Sequence, residues 1–261
     1  IYTNKLLEKR RDLTLCPMVS ASARAKLQRK LGIESVEDLD RLTEADLKKA
    51  LGPKTGLHFH YKMEARRSGR PCVVDGGKLN IPRRRRRLYF DFETAGDEHP
   101  TVAPHVYMVG VCDEKGKAYR VFIARGADDE ERMFVEFLNH VGDPRDAHLY
   151  HWTSFEIGQI GGVIERHPAL KKRLSKLMKA CVDLKEAIAK RVFFPCRTYS
   201  IKEVAPTIGF HWRQESVDAM ESMVLYWEWL ADGDQRKIEK VVTYNEDDCI
   251  AMARVDEAVG R

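Results

Sequence analysis

The apolar positions of this 261-residue chain change period part-way along. From Ser20 to Leu51 they recur every three to four residues, and Ala23–Leu31 and Glu44–Leu51 read as helices. Gly32-Ile-Glu-Ser-Val-Glu-Asp-Leu39 between them supplies a stop and a new start. Ser35 to Asp38 and Thr43 to Asp46 have the spacing of capped helix starts. A further helix spans about Leu57–Arg67 and ends at Ser68-Gly69, while residues 1–15 are polar and charged, a helix end or connector. Residues 69–82 hold three glycines and two prolines. They mark a boundary between a small helical module, residues 1–80, and a second domain, residues 81–261.

Beyond that boundary strand-like runs take over. Arg87-Leu-Tyr-Phe-Asp-Phe-Glu-Thr94 is apolar, rich in aromatics and bracketed by charge, as a buried strand is. Val106–Cys112 and Ala118–Ala124 flank Asp113-Glu-Lys-Gly116 as an antiparallel hairpin. Glu130–Val141 is an amphipathic helix with Met133, Phe134, Phe137 and Leu138 inward. Ala147–Trp152 is the next strand and Glu156–Glu165 the helix after it. Residues 169–192 read as helical with a break near Cys181–Asp183, where Asp183 suits an N-cap. Ser200-Ile-Lys-Glu203 fits a capping box opening a helix over Ile201–Ile208, and Tyr226, Trp227 and Trp229 belong to a core-facing helix. This order implies an α/β fold, a mixed central sheet flanked by helices, preceded by the all-α module.

Composition narrows the class. Hydrophobic residues make up 43% and charged residues 33%, the balance of a soluble globular chain. No apolar run reaches the length of a membrane span, and no secretory signal is visible. The six cysteines are scattered without a CxxC pair, which reads as reduced cytoplasmic thiols rather than a disulfide frame or zinc site. No P-loop or dinucleotide fingerprint is present. Residue 1 is an Ile inside a charged, helix-like segment, so the chain reads as a piece of a longer protein. Charge is uneven: residues 1–90 carry 22 Lys/Arg and 10 Asp/Glu, or +12, whereas residues 91–261 carry 23 and 30, or −7. A basic module beside an acidic one suits a polyanionic partner. Helical surfaces rich in lysine that bind nothing give the same count.

Three stretches carry candidate chemistry. On a strand, side chains two apart share a face, so Asp91 and Glu93 point the same way. Two carboxylates there suit a hard cation such as Mg²⁺; the competing reading is a strand end running into solvent. Glu156 follows an apolar strand, but Thr153-Ser-Phe-Glu156 also fits a capping box, in which that acid would only bond backbone N–H groups. In the third stretch, Ile238, Val241, Asn245, Asp248 and Met252 recur at helical spacing, which puts Asp248 on the inward stripe. Tyr244 is its neighbour four residues back, and Asp247 turns roughly 100° away, toward solvent. Arg83–Arg87 is five arginines in a row, a solvated linker or a phosphate contact.

Together, Asp91-Phe-Glu93, Glu156 and Tyr244-x-x-x-Asp248 resemble the three exonuclease motifs of the DEDD superfamily in its tyrosine-bearing branch, with Glu156 where Asp is usual. From about residue 15 onward the chain is also similar to RecB-like nucleases that carry an RNase H-like exonuclease domain at their C-terminus. Asp183-Leu184, Tyr199-Ser-Ile-Lys-Glu-Val-Ala205, Ile208-Gly-Phe-His-Trp-Arg213 and Tyr244-Asn-Glu-Asp-Asp248 carry that likeness. It implies an RNase H-like fold and a metal-dependent 3′–5′ exonuclease of DNA or RNA, acting on a single-stranded 3′ end. Two Mg²⁺ or Mn²⁺ ions are implied at Asp91, Glu93, Glu156 and Asp248, with Tyr244 orienting the attacking water. It also implies a preceding nuclease-like domain in the full-length protein and a degenerate helix-hairpin-helix region, with Gly52-Pro-Lys-Thr-Gly56 nearest to a phosphate-gripping hairpin; a plain helical spacer reads equally well there. Thr94, Trp152, Arg83, Arg84, Arg85, Arg86 and Lys202 are the candidate nucleic-acid contacts, Trp152 by stacking on a base. The rival readings are a catalytically degenerate nucleic-acid-binding module and a structural connector.

Overall fold

The structure is a computed structural model. It describes residues 5–6, 9–13, 19–74, 79, 81–96, 103–214 and 216–260. Much of the 1–15 reading, Cys16 and part of the 69–82 boundary therefore lie outside the described residues. The chain forms two compact units, Ile1–Leu79 with Ile188–Phe210, and Asn80–Ala187 with His211–Val259.

In the first unit the helices are α1 (Ala21–Leu31), α2 (Val36–Asp40), α3 (Glu44–Leu51) and α4 (Pro53–Ser68). Both predicted capping boxes form. Ser35 accepts from the Asp38 N–H while Asp38 accepts from the Ser35 N–H, and Thr43 and Asp46 do the same. Helix α4 begins earlier than its apolar pattern because Pro53 is pre-set for a first helical turn. Gly52 alone joins α3 to α4, at φ +92°. Gly56 is needed for space: a Cβ there would lie 2.4 Å from the Lys48 nitrogen, so only glycine lets α4 press against α3. Leu27, Leu39, Leu47, Phe59 and Met63 form the core of this unit. A two-residue strand, Cys72–Val73, pairs antiparallel with Val192–Phe193, at the end of the 169–192 stretch that reads as helical. Two residues are too few to display a period of two; pairing makes them strands.

The second unit is built on a five-stranded sheet. Its strands are β1 (Arg86–Ala95), β2 (His105–Asp113), β3 (Arg120–Ile123), β4 (Ala147–His151) and β5 (Cys181–Asp183), in the spatial order β3-β2-β1-β4-β5. Antiparallel pairing joins β1, β2 and β3; parallel pairing joins β1 to β4 and β4 to β5. The sheet is mixed and flanked by helices, as the sequence implies. The expected hairpin turn is held by Asp113, whose Oδ1 accepts from the Lys115 and Lys117 N–H groups. The break near Cys181 is the edge strand β5, and Asp183 also caps the next helix by accepting from the Glu186 N–H at 2.8 Å.

Alternation along β1 sorts its side chains. Leu88, Phe90 and Phe92 enter a core with Phe134 and Phe137 of α5 (Glu130–Val141), Ile160 of α6 (Phe155–Arg166) and Leu174 of α7 (Lys171–Met178). Each such buried side chain contributes about 1.5–3 kcal/mol. Tyr89, Asp91 and Glu93 take the opposite face. There a second core joins Tyr107 and Met108 to α8 (Ala219–Asp232) and α9 (Gln235–Val259). Tyr226 and Trp229 are buried in it, as their apolar setting predicts.

Candidate metal centre

Asp91 and Glu93 occupy neighbouring positions on one face of β1, and α9 packs against that strand. The helical stripe carries Asp248 inward, so one oxygen from each of Asp91, Glu93 and Asp248 lies within 4.8 Å of the others. Glu93 and Asp248 are buried and Asp91 is half-buried. Among the described residues no other trio of acids, histidines or cysteines is gathered so closely.

Neutral donors orient these acids. The Asn245 amide nitrogen donates to Asp91 Oδ2 at 3.0 Å and to Glu93 Oε1 at 3.2 Å. Ser222 of α8 donates to Glu93 Oε2 at 3.0 Å, and the Trp212 indole N–H donates to Asp248 Oδ1 at 2.7 Å. Such donors fix a carboxylate's direction without cancelling its charge. Tyr244 is buried one turn before Asp248. Burial, followed by the charges of Asp248, Glu93 and Asp91, pushes its phenol well above the ordinary value, so it stays protonated at neutral pH.

Several expectations are corrected. Asp247 does not meet solvent: it is 2% exposed and accepts from the backbone N–H and Nε of Arg213, at 2.7 and 2.8 Å. The segment preceding α8 lies over that side of α9, which helical periodicity alone does not register. Thr153–Glu156 makes no capping box; Ser154 caps α6 without a side-chain bond, and the Phe155 N–H donates to Thr153. Glu156 is instead 3% exposed, with Oε2 lacking a hydrogen-bond partner and lying 3.5 Å from His151 Nδ1. It stands outside the three-acid group. The box at Ser200 is also absent, since Glu203 accepts from the N–H groups of Arg197 and Thr198.

Trp152 is 5% exposed, so its ring is interior packing and offers no open face to a base. The arginine run is neither free linker nor an open phosphate grip. Arg83 pairs with buried Asp256, Arg84 donates to the carbonyls of Pro144 and Ala147, and Arg86 donates to that of Val141. Arg85 is exposed and makes no such bond to a described residue. Thr94 is half-buried just past a bulge in β1, paired with Val106. Lys202 lies in the first unit, on the short helix Ile201–Val204.

Sequence reasoning missed three donors. Asn245 carried a signal, a polar residue on the inward stripe; Trp212 carried only its place in a family-like stretch, and Ser222 none.

The sequence profile of the RNase_H superfamily matches residues 88–259, which holds all three acids and the whole sheet except the first two residues of β1. The chain belongs to the RNase_H superfamily. A search of curated proteins finds no match. Among solved structures, the RNase_H chain is similar to the family B DNA polymerase from the hyperthermophilic archaeon Pyrobaculum calidifontis. The TM-score is 0.48 at 21% identity, over 71% of this chain and 25% of that one. The chain thus spans about a quarter of that polymerase's length.

Membership of the RNase_H superfamily, with an acidic cluster where β1 meets α9, supports a nuclease-type hydrolase that uses divalent metal and meets nucleic acid. The donor set fits such an ion: oxygen ligands only, from three converging carboxylates. Among the described residues no helix is long and apolar enough to cross a membrane.

Proposed function

We propose that this protein is a 3′–5′ exonuclease that hydrolyses phosphodiester bonds of DNA or RNA with two divalent ions, Mg²⁺ or Mn²⁺. The observation that carries this reading is the convergence of Asp91, Glu93 and Asp248 within 4.8 Å in an RNase_H superfamily domain. Bound divalent ions supply a water of lowered pKa and neutralise charge on the leaving oxygen. Asp91, Glu93 and Asp248 would hold one ion. Asp91 and Glu156 would hold a second; the buried Glu156 oxygen without a hydrogen-bond partner is an acceptor awaiting a donor or cation. Tyr244, held protonated, donates a hydrogen bond that orients the attacking water rather than removing its proton. The tyrosine and its spacing support the tyrosine-bearing DEDD branch. The resemblance to RecB-like nucleases supports a cytoplasmic protein with a further nuclease-like domain, and a helix-hairpin-helix-like role for residues 1–80.

One observation favours a second reading. Glu156 lies outside the acidic trio, as it would in a catalytically degenerate nucleic-acid-binding module. Digestion of end-labelled DNA and RNA oligonucleotides, blocked at the 3′ or the 5′ end, separates the two. Metal-dependent release that a 3′ block stops and a 5′ block spares is the expected result. Salt-sensitive binding without cleavage, with either ion present, selects the second reading.

A further inference from the structure

Asn245 is fully buried, and its amide is fully used. Its nitrogen has two hydrogens, one for Asp91 Oδ2 at 3.0 Å and one for Glu93 Oε1 at 3.2 Å. Its oxygen accepts from the Tyr119 hydroxyl at 3.0 Å. The two carboxylates decide which way round the amide sits. The flipped amide would aim its oxygen at two carboxylates, which accept only, so the network permits one orientation.

Gly110 makes room for it. In the β1–β2 register Gly110 stands opposite Asp91, and a Cβ there would lie 1.7 Å from Asn245 Oδ1. Gly110 has no positive φ, so here glycine serves space and not backbone freedom. Four residues on three elements and one connection therefore converge on one geometry: Asp91 on β1, Gly110 on β2, Tyr119 just before β3 and Asn245 on α9.

We propose that Asn245, anchored by Tyr119 and admitted by Gly110, is a positioning residue that holds Asp91 and Glu93 in their metal-binding orientation. This rests on the metal-site reading above. The two amide hydrogens, one on each of two like charges, keep the carboxylates close before any cation arrives. Outer partners that orient ligands in this way typically govern metal affinity by about 10- to 100-fold.

The test is Mn²⁺ binding, read from the electron paramagnetic resonance signal of free Mn²⁺ with no nucleic acid present. Wild type, Asn245→Leu and Tyr119→Phe are compared, with Asp91→Asn as the site-deficient reference and circular dichroism as the check on folding. Wild type should bind, and Asn245→Leu should bind at least about tenfold more weakly. Tyr119→Phe should fall in between, because it removes the anchor on the amide oxygen and keeps both N–H donors. Cleavage by Asn245→Leu should recover as Mn²⁺ is raised, with kcat nearly kept, which a merely structural loss would not do. A folded Asn245→Leu protein with wild-type Mn²⁺ affinity overturns the proposal while leaving the metal site intact. No binding by wild type overturns both. Should Asn245→Leu fail to fold, Tyr119→Phe decides alone, and unchanged affinity there overturns the proposal.

Discussion

Asp248 and Asp256 lie about two turns apart on α9, both buried and both turned to the residues of β1, yet their surroundings differ. Asp256 meets cations that the chain provides. It pairs with Arg83 and accepts from the Tyr89 hydroxyl, with Arg87 at 3.6 Å. Asp248 meets a neutral indole donor and two further acids. A buried carboxylate needs compensation in either case. At Asp256 folding supplies it, and the result is a closed staple between the last helix and the first strand. At Asp248 the chain gathers two further carboxylates, the group that the proposed reading gives to a divalent ion. Like residues on one helix can thus serve as a staple or, on the proposed reading, as a metal ligand.

The largest expected effect breaks the site and spares the staple. Asp91→Asn should lower cleavage by roughly a thousandfold or more, about 4 kcal/mol of barrier, with the fold intact. It should also remove a Mn²⁺-dependent rise in melting temperature, which at about 100 times Kd reflects about 2.7 kcal/mol in the wild type. Full activity of this variant with Mn²⁺ present would refute the mechanism.

Asp256→Asn is the converse. The carboxylate is fully buried, while Arg83 and Arg87 are about one-third exposed and stay partly hydrated when it is lost. The loss should be about 1–3 kcal/mol of stability in denaturant titrations. Mn²⁺ affinity should be unchanged; a shift there would mean that the staple and the site are one network.

Glu156→Gln sharpens the comparison, because among the described residues Glu156 has neither an arginine partner nor a place in the trio. As a metal-site acid it should lose at least about tenfold in rate, or about 1.4 kcal/mol, with little change in stability. Equal rates for the two proteins would take Glu156 out of the catalytic set.

The smallest effect concerns the arginines. Arg85→Ser should flatten the log–log salt dependence of oligonucleotide binding by at most about 0.7, one single-strand phosphate contact. Changing Arg83–Arg86 together should add a stability loss, since three of the four hold protein oxygens. Coincident salt lines for wild type and Arg85→Ser would make the whole run structural.

Much was legible along the chain because it depends on neighbours in sequence. The alternation of β1 is enough to put Asp91 and Glu93 on one face, and the stripe through Ile238, Val241, Asn245 and Asp248 is enough to turn an acid inward. The capping boxes at Ser35 and Thr43 are closed by groups three residues apart, and the strand and helix order is enough to imply a mixed sheet. Tertiary structure decided whatever depends on a partner far away in sequence. Asp247 is buried because Arg213 lies over it, and Arg83 is a staple because Asp256 arrives 173 residues later. Cys181–Asp183 and Val192–Phe193 become strands only through the strands beside them. Asn245 shows the division within one side chain. Its spacing points it inward, but only the meeting of β1, β2 and α9 sets its two hydrogens between two carboxylates and requires glycine at 110.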